Sequence, residues 1–263
     1  MDTMKAAVAL EGTWQHSANV LIDRVLPPIC TRPTSPLEFP LMLLSNSACF
    51  RASLSLALGF GIVLFAGLIK LPQIATIVSN KSVAGLALTT FLIETFGYSY
   101  NLAAHYRQRY PISTYGDFFV LIAQNYIILY LFFRYNKNPS RGIAVIAAYA
   151  AGLALMCSPY FPLSVLELMT LGNVMVVVFG RTPQIYTNYV NKSTGALSMF
   201  TCWGIFLGAL ARIFTTLQDV DSLNILVGYL TSACFNGTIA FQTVYYNYIV
   251  KPPKKDDKVK KAE

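Results

Sequence analysis

Two stretches of this chain, DFFVLIAQNYIILYLFF at 117–133 and GIAVIAAYAAGLALMC at 142–157, are apolar for longer than a soluble fold can use. A helix needs about 17–25 largely apolar residues to cross a hydrocarbon layer ~30 Å thick, and these runs approach that length. Only 12% of the 263 residues are charged, against about 25% in soluble domains. So few charges cannot cover the surface of a compact soluble domain of this size. The expected class is an all-α membrane protein.

Candidate spans fall near 54–78, 86–106, 117–134, 142–157, 162–187, 197–217 and 224–248, about seven transmembrane helices. The fourth is the shortest, and Pro159 and Pro162 mark a tight turn between it and the fifth. Residues 1–53 read as a polar, Pro-rich N-terminal arm whose apolar stretch, PLMLLSNSACF, is too brief to span. With Asp2, Glu11 and Asp23, residues 1–24 lack the clean apolar region of a signal peptide, so the first span is expected to direct insertion itself.

Loop charges set the orientation. Lys81, then Arg134, Lys137 and Arg141, then Lys192 share a side with the tail, 251–263, which holds six lysines and three acids. The other side has Arg107 and Arg109, a charge-balanced arm and the acidic Asp219–Asp221 turn. The positive-inside rule places the tail in the cytosol and the arm in the lumen or outside. The net charge of +8 raises nucleic acid as a partner, but no basic stripe interleaved with aromatics is present, so none is expected. The five cysteines show neither metal-ligand nor redox spacing, and no metal or cofactor is expected. Cys157, Cys202 and Cys234 lie in apolar spans as small hydrophobes. Cys30 and Cys49 are able to pair if the arm faces an oxidising lumen.

Self-comparison reveals a duplication. LIKLPQIATIVSNKSVAGLA (68–87) aligns without gaps with FGRTPQIYTNYVNKSTGALS (179–198), at an offset of 111 residues. The same offset pairs Gly61 with Gly172, Gly97 with Gly208, Asn125 with Asn236, and Tyr135-Asn136 with Tyr246-Asn247. Apolar composition alone does not match prolines, glutamines and asparagines. An offset passing over four spans keeps both copies in one orientation. The expected units are 54–136 and 162–250, three helices each, joined by a linker helix within 137–161. Parallel repeats of this kind are a transporter design, with substrate sites between the halves.

Each copy carries Pro-Gln inside a span: Pro72-Gln73 and Pro183-Gln184. Proline lacks an N–H and clashes with the carbonyl four residues back, here Leu68 and Phe179, so both helices are expected to kink. The freed carbonyl needs a partner where no water is available, and the glutamine amide is suited to supply one. The pair serves as a hinge or equally as a fixed bend.

Two Pro-Gln pairs at equivalent positions, each following a basic residue and preceding Asn-Lys-Ser, make a specific signature. It resembles the PQ-loop repeat family, which includes the SWEET sugar transporters, cystinosin and related lysosomal exporters. The resemblance spans roughly 54–250 together with the KPPKK tail. It implies two parallel three-helix PQ-loop bundles joined by a linker helix. LIKLPQIATIVSNKSVAGLALTTFLIE, GNVMVVVFGRTPQIYTNYVNKSTGALS and ARIFTTLQ are similar to a member needed for using dolichol-phosphate mannose. That likeness implies a non-enzymatic endoplasmic reticulum membrane protein. It would serve dolichol-phosphate mannose, and dolichol-phosphate glucose, in N-glycan precursor, GPI-anchor and mannosylation pathways, with luminal glycosyltransferases as further partners. The terminal Lys260-Lys261-Ala262-Glu263 fits a dilysine retrieval signal, or a solvated lysine tail that attracts anionic lipid.

Lys70 and Arg181 precede the two Pro-Gln pairs, near the expected cytosolic ends of their helices. They suit the phosphate of a lipid-linked sugar, or else snorkel to headgroups. The resemblance carries Asn125 and Asn236 over as sugar ligands, since an asparagine in this helix of each bundle contacts sugar in the transporting relatives. Alternatively they hydrogen-bond between helices. Glu94 is the deepest acid: a proton site, a partner for Arg212 or Lys70, or a protonated hydrogen bonder. Asp117 reads as an N-cap, with Glu167 a lesser candidate, and His105 reads as a headgroup contact. Gly59, Gly61, Gly67, Gly172, Gly204 and Gly208 mark close helix approaches.

Three functional classes follow. Flipping, presenting or chaperoning a lipid-linked sugar gives the cations and asparagines coherent roles. An alternating-access carrier of a small soluble sugar or amino acid suits the hinge prolines equally. An enzyme would want a metal-binding acid cluster or a nucleophile–base pair, and two histidines with isolated acids supply neither. The orientation has a direct check: the sequons Asn80-Lys81-Ser82 and Asn191-Lys192-Ser193 are expected to be cytosolic and unmodified. A glycan at either, seen as an endoglycosidase-sensitive mobility shift, would overturn it.

Overall fold

The computed structural model describes residue 30 and residues 46–83, 86–195 and 197–250; the tail with Lys260 and Lys261 lies outside these. The chain divides into two compact units, residues up to Ala57 and residues from Leu58 onward. In the first unit a disulfide joins Cys30 and Cys49. Asn46 starts helix α1 (Ser47–Ile69), its side-chain oxygen accepting the backbone N–H groups of Ala48 and Cys49 at 3.1 Å each. The helix therefore begins inside the segment expected to be an arm. From Ser47 to Ile69 the run stays apolar, with Arg51 its one charge.

One non-helical residue, Lys70, separates α1 from α2 (Leu71–Asn80), and the two together make a broken span of 34 residues. Pro72 sits in the first turn of α2, where its missing N–H costs nothing. The second copy behaves differently. Helix α6 (Leu163–Asn191) continues through Pro183 with no non-helical residue, where the first copy is interrupted at Lys70. Thr182 donates to the Val178 carbonyl at 2.6 Å, satisfying a group next to the one that Pro183 frees. Leu71 stands at that place in the first copy and offers no hydroxyl. Both copies end alike, with Lys81 (φ 47°) and Lys192 (φ 49°) as left-handed caps.

The other helices are α3 (Leu88–Arg107), α4 (Gly116–Tyr135), α5 (Pro139–Cys157), α7 (Met199–Asp219) and α8 (Leu223–Val244), the last continued by a π-turn at Tyr245–Ile249. The described residues are all-helical, and six spans are long and apolar enough to cross a membrane. Helix α3 has the length but carries Glu94, Thr95, Ser99, Asn101, His105 and Arg107. Thr95 and Ser99 are buried, each donating to the carbonyl four residues back. Large apolar side chains point outward instead, such as Leu64, Phe179 and Phe200, as suits a lipid-facing surface.

In each half the third helix lies between the other two: α4 packs on α2 and α3, and α8 on α6 and α7. Helix α5 packs against α3 and α4, where the Tyr149 hydroxyl donates to the Leu92 carbonyl at 2.9 Å. The halves meet where Asn173 of α6 accepts from Tyr100 of α3 and donates to Asn101 at 3.0 Å.

The glycines redraw the expected contact faces. A Cβ on Gly61, Gly172, Gly204 or Gly208 would meet nothing, and on Gly67 only an ordinary contact. Close approach falls at Gly59, where a Cβ would lie 2.7 Å from the Ser113 carbonyl oxygen, and at Gly142 and Gly237, against Phe133 and Phe206. Small residues are also common on lipid-facing surfaces, so composition does not single out a contact. Gly59→Ala should therefore lower the unfolding temperature of purified protein. Gly61→Ala should be neutral or raise stability by about 0.5–1 kcal/mol. Equal destabilisation by both would contradict this packing.

Candidate functional site

The break at Lys70 turns its side chain into the first bundle, where it is 9% exposed. The ammonium forms an ion pair with Glu94 of α3 and donates to Asn125 Oδ1 of α4 at 2.8 Å. The Asn125 amide donates in turn to Thr95 Oγ1 at 3.1 Å. Phe91 and Tyr98 face the ammonium, with ring centroids at 5.5 and 5.7 Å. Gln124, beside Asn125, donates to the Gly67 carbonyl in the last turn before the break. The Gly67 carbonyl is thus met by a side chain of α4.

Asn125 is fully buried near the middle of α4, about 14 Å along the axis from either end. Lys70 lies ten residues before the end of α2, farther along the helix than a residue snorkelling at a helix end. Of the alternatives open for Glu94, Lys70 is its partner. Glu94 remains 35% exposed at the side chain. The cluster therefore combines a buried cation, a movable carboxylate and a fixed amide.

Arg181 and Asn236 take no part in it. Arg181 is half-buried beside Cys202, and the Asn236 amide donates to the Ser232 carbonyl and hydroxyl at 2.8 and 3.0 Å. Where the first half has Glu94 and Thr95, the offset places Ile205 and Phe206. Gln184 instead begins an amide chain. It donates to Asn188 Oδ1 at 3.2 Å, Asn188 donates to Gln242 Oε1 at 2.8 Å, and Gln242 donates to the Ile185 carbonyl at 3.1 Å.

A second ion pair joins the halves. Arg212 of α7 meets Asp117 of α4 at 2.6 Å and donates to the Thr114 carbonyl at 2.8 Å, with both side chains buried. Asp117 thus serves as the partner of Arg212, not as an N-cap, and Arg212 does not reach Glu94. His105, expected at the headgroups, is 2% exposed, with its Nδ1 on the Asn101 carbonyl at 2.8 Å and the rings of Tyr110, Tyr115 and Phe118 around it. Nearby, the single proton of the Tyr110 hydroxyl has two acceptors in reach, Gln108 Oε1 at 2.7 Å and, across the two equivalent loops, the Asp221 carbonyl at 3.2 Å, and burial raises its pKa. Glu167 is half-buried near the start of α6. Thr95, Gln124, Asn173, Asn188 and Gln242 were not singled out in the sequence. For the four amides the available signal is an amide side chain inside an apolar run, a signal that Thr95 does not carry.

Residues 54–114 and 165–225 each match the family model described as PQ loop repeat. Solute carrier family 66 member 3 of Homo sapiens is 25% identical over 179 residues, which cover 68% of this chain and 87% of that protein. No solved structure matches.

Removing one member of a buried ion pair strands the other. Arg212→Ala should cost about 3–5 kcal/mol in denaturant unfolding of the purified protein. Arg212→Met combined with Asp117→Leu should recover most of that loss. A double variant no better than the single one would mean that the bridge is not an isolated pair.

Proposed function

We propose, from the premise that this chain belongs to the PQ-loop repeat family of multi-pass membrane proteins related to solute carriers, that it handles a lipid-linked sugar phosphate, dolichol-phosphate mannose and also dolichol-phosphate glucose. It flips, presents or chaperones this donor for the N-glycan precursor, GPI-anchor and mannosylation pathways. The observation that carries the reading is the mid-depth cation. Lys70 has three donors, and Glu94 and Asn125 occupy two of them. A phosphodiester monoanion entering beside Lys70 replaces Glu94, whose partly exposed carboxylate has room to turn away. The displaced Glu94 carboxylate loses its counter-ion in the exchange, so it must turn to water or take up a proton as the phosphodiester enters. A long polyprenyl tail does not fit a closed pore, but it can stay in lipid while the head enters sideways.

The compartment has independent support. A Cys30–Cys49 disulfide belongs to an oxidising space, and it sits at the end of α1 that loop charges assign to the lumen. The dilysine tail is suited to retrieval in the endoplasmic reticulum. The three motif-bearing segments resemble the mannose-P-dolichol utilization defect 1 protein, which adds the identity of the sugar donor. Kinship with a solute carrier favours the second reading, an alternating-access carrier of a small soluble sugar or amino acid.

The test uses liposomes bearing a fluorescent dolichol-phosphate mannose analogue on both leaflets and an external quencher, alongside equilibrium binding of the analogue. Wild-type protein should bind it, and Lys70→Ala should weaken binding roughly 10- to 100-fold, the effect of losing one or two hydrogen bonds to a charge. Quenching beyond the outer-leaflet fraction would assign flipping. Binding without such quenching would leave presentation or chaperoning. Folded protein that neither binds nor moves the analogue would sink the proposal.

A further inference from the structure

The two Pro-Gln copies spend their glutamines differently. In the second, Gln184 is held in the amide chain with Asn188, which is 2% exposed, and Gln242. In the first, Ile77 and Leu131 occupy the places of Asn188 and Gln242, and both are buried in one apolar cluster with Phe91, Ile128 and Leu129. The amide partners that fix Gln184 are therefore missing around Gln73. Gln73 lines a cavity of about 420 Å³ instead, together with Thr76, Ile77, Asn80, Ser82 and Leu86.

We propose that this cavity beside α2 is a subsite for a neutral hexose, built in the first half and filled by protein amides in the second. Its walls match that chemistry. Two amides and the Thr76 hydroxyl offer polar contacts, the described lining residues include no charged side chain, and Ile77 and Leu86 supply an apolar surface for a ring's C–H face. The volume falls within the ~300–1,000 Å³ of ordinary ligand pockets. Three of the polar groups follow from periodicity, since residues 73, 76 and 80 share one face of α2. The Thr76 hydroxyl already donates to the Pro72 carbonyl at 2.8 Å, which leaves its lone pairs to accept from a sugar hydroxyl. Gln73 follows Lys70 by one helical turn, about 5 Å along the axis. A sugar there adjoins a phosphate at Lys70, and for that adjacency the inference rests on the lipid-linked reading. The hexose chemistry itself does not, because a free sugar presents the same hydroxyls.

The test is site-directed protection in full-length protein with Cys157, Cys202 and Cys234 replaced by serine. Thr76→Cys reports on the cavity, and Thr187→Cys, its equally exposed equivalent in the second copy, is the control. Maleimide labelling is timed with methyl α-mannoside, with a short-chain polyprenyl-phosphate mannose, or with the same lipid phosphate lacking sugar. At least one sugar-bearing probe should slow labelling at Thr76→Cys fivefold or more. The sugarless phosphate should not, Thr187→Cys should be unaffected, and adding Gln73→Leu should abolish protection. Protection by the lipid-linked probe alone assigns a lipid-borne sugar. Protection by the free glycoside alone keeps the subsite and removes the lipid-linked reading. Protection by neither sugar, by the sugarless phosphate equally, at Thr187→Cys equally, or surviving Gln73→Leu overturns the subsite. If Lys70→Ala still weakens lipid-probe binding in that case, the proposed function stands without it.

Discussion

A lysine ammonium ten residues inside a spanning helix persists only if the protein supplies what water would have supplied. For Lys70 that means Glu94 as counter-ion and Asn125 as a neutral acceptor, and much of the first bundle follows from it. The counter-ion forces an acid into α3, the least apolar of the seven long helices. The acceptor fixes which face of α4 turns inward. The reach toward both coincides with the interruption between α1 and α2, and Gln124 of α4 meets the backbone carbonyl of Gly67 there. The helix break, the polar second helix and the central third helix are three consequences of one buried charge.

The duplication copies the scaffold without copying this chemistry. Both halves share the helix order, the central third helix and the left-handed lysine cap. Their polar interiors are exchanged. At mid-depth the first half is ionic, whereas the second has Ile205 and Phe206 in place of the acid and the threonine. Nearer the caps the second half has its amide chain, where the first has Ile77 and Leu131. A ligand between such halves meets two different surfaces. A symmetric pair of cations, one from each repeat, is not the arrangement found. Lys70 acts with Glu94 and Asn125, and Arg181 lies elsewhere.

The legible part of the sequence was the part governed by repetition along the chain. Apolar runs located the seven long helices, and the offset of Pro72 to Pro183 matched the two repeats. Partners across helices were not legible, because periodicity says which face a residue lies on and not which neighbour that face meets. Arg212 and Asp117 are 95 positions apart, and only the packing of α7 beside the start of α4 pairs them. His105 looked interfacial because it ends a helix beside Arg107, yet three rings from the following loop and α4 enclose it. Asn46 lies within a stretch too short to span and reads as part of the arm, although its side chain starts α1. Thr182, a single hydroxyl, accompanies the unbroken course of one proline-containing helix where its counterpart Leu71 flanks a break.

The connections between the halves are unevenly placed. Tyr100 and Asn101 with Asn173, Arg212 with Asp117 and Thr114, and Tyr110 with Asp221 all lie toward the 108–115 and 220–222 loops. Gln73 and its cavity lie toward the opposite ends of the helices. The uneven placement has an energetic consequence. Separating Arg212 from Asp117 without water would cost several kcal/mol, comparable to or above the few kcal/mol that usually divide two conformations of one protein. The halves can more cheaply rock about this junction than part at it. The Lys70 cluster and the Gln73 cavity are built from the first half alone, so neither needs the buried ion pair to part.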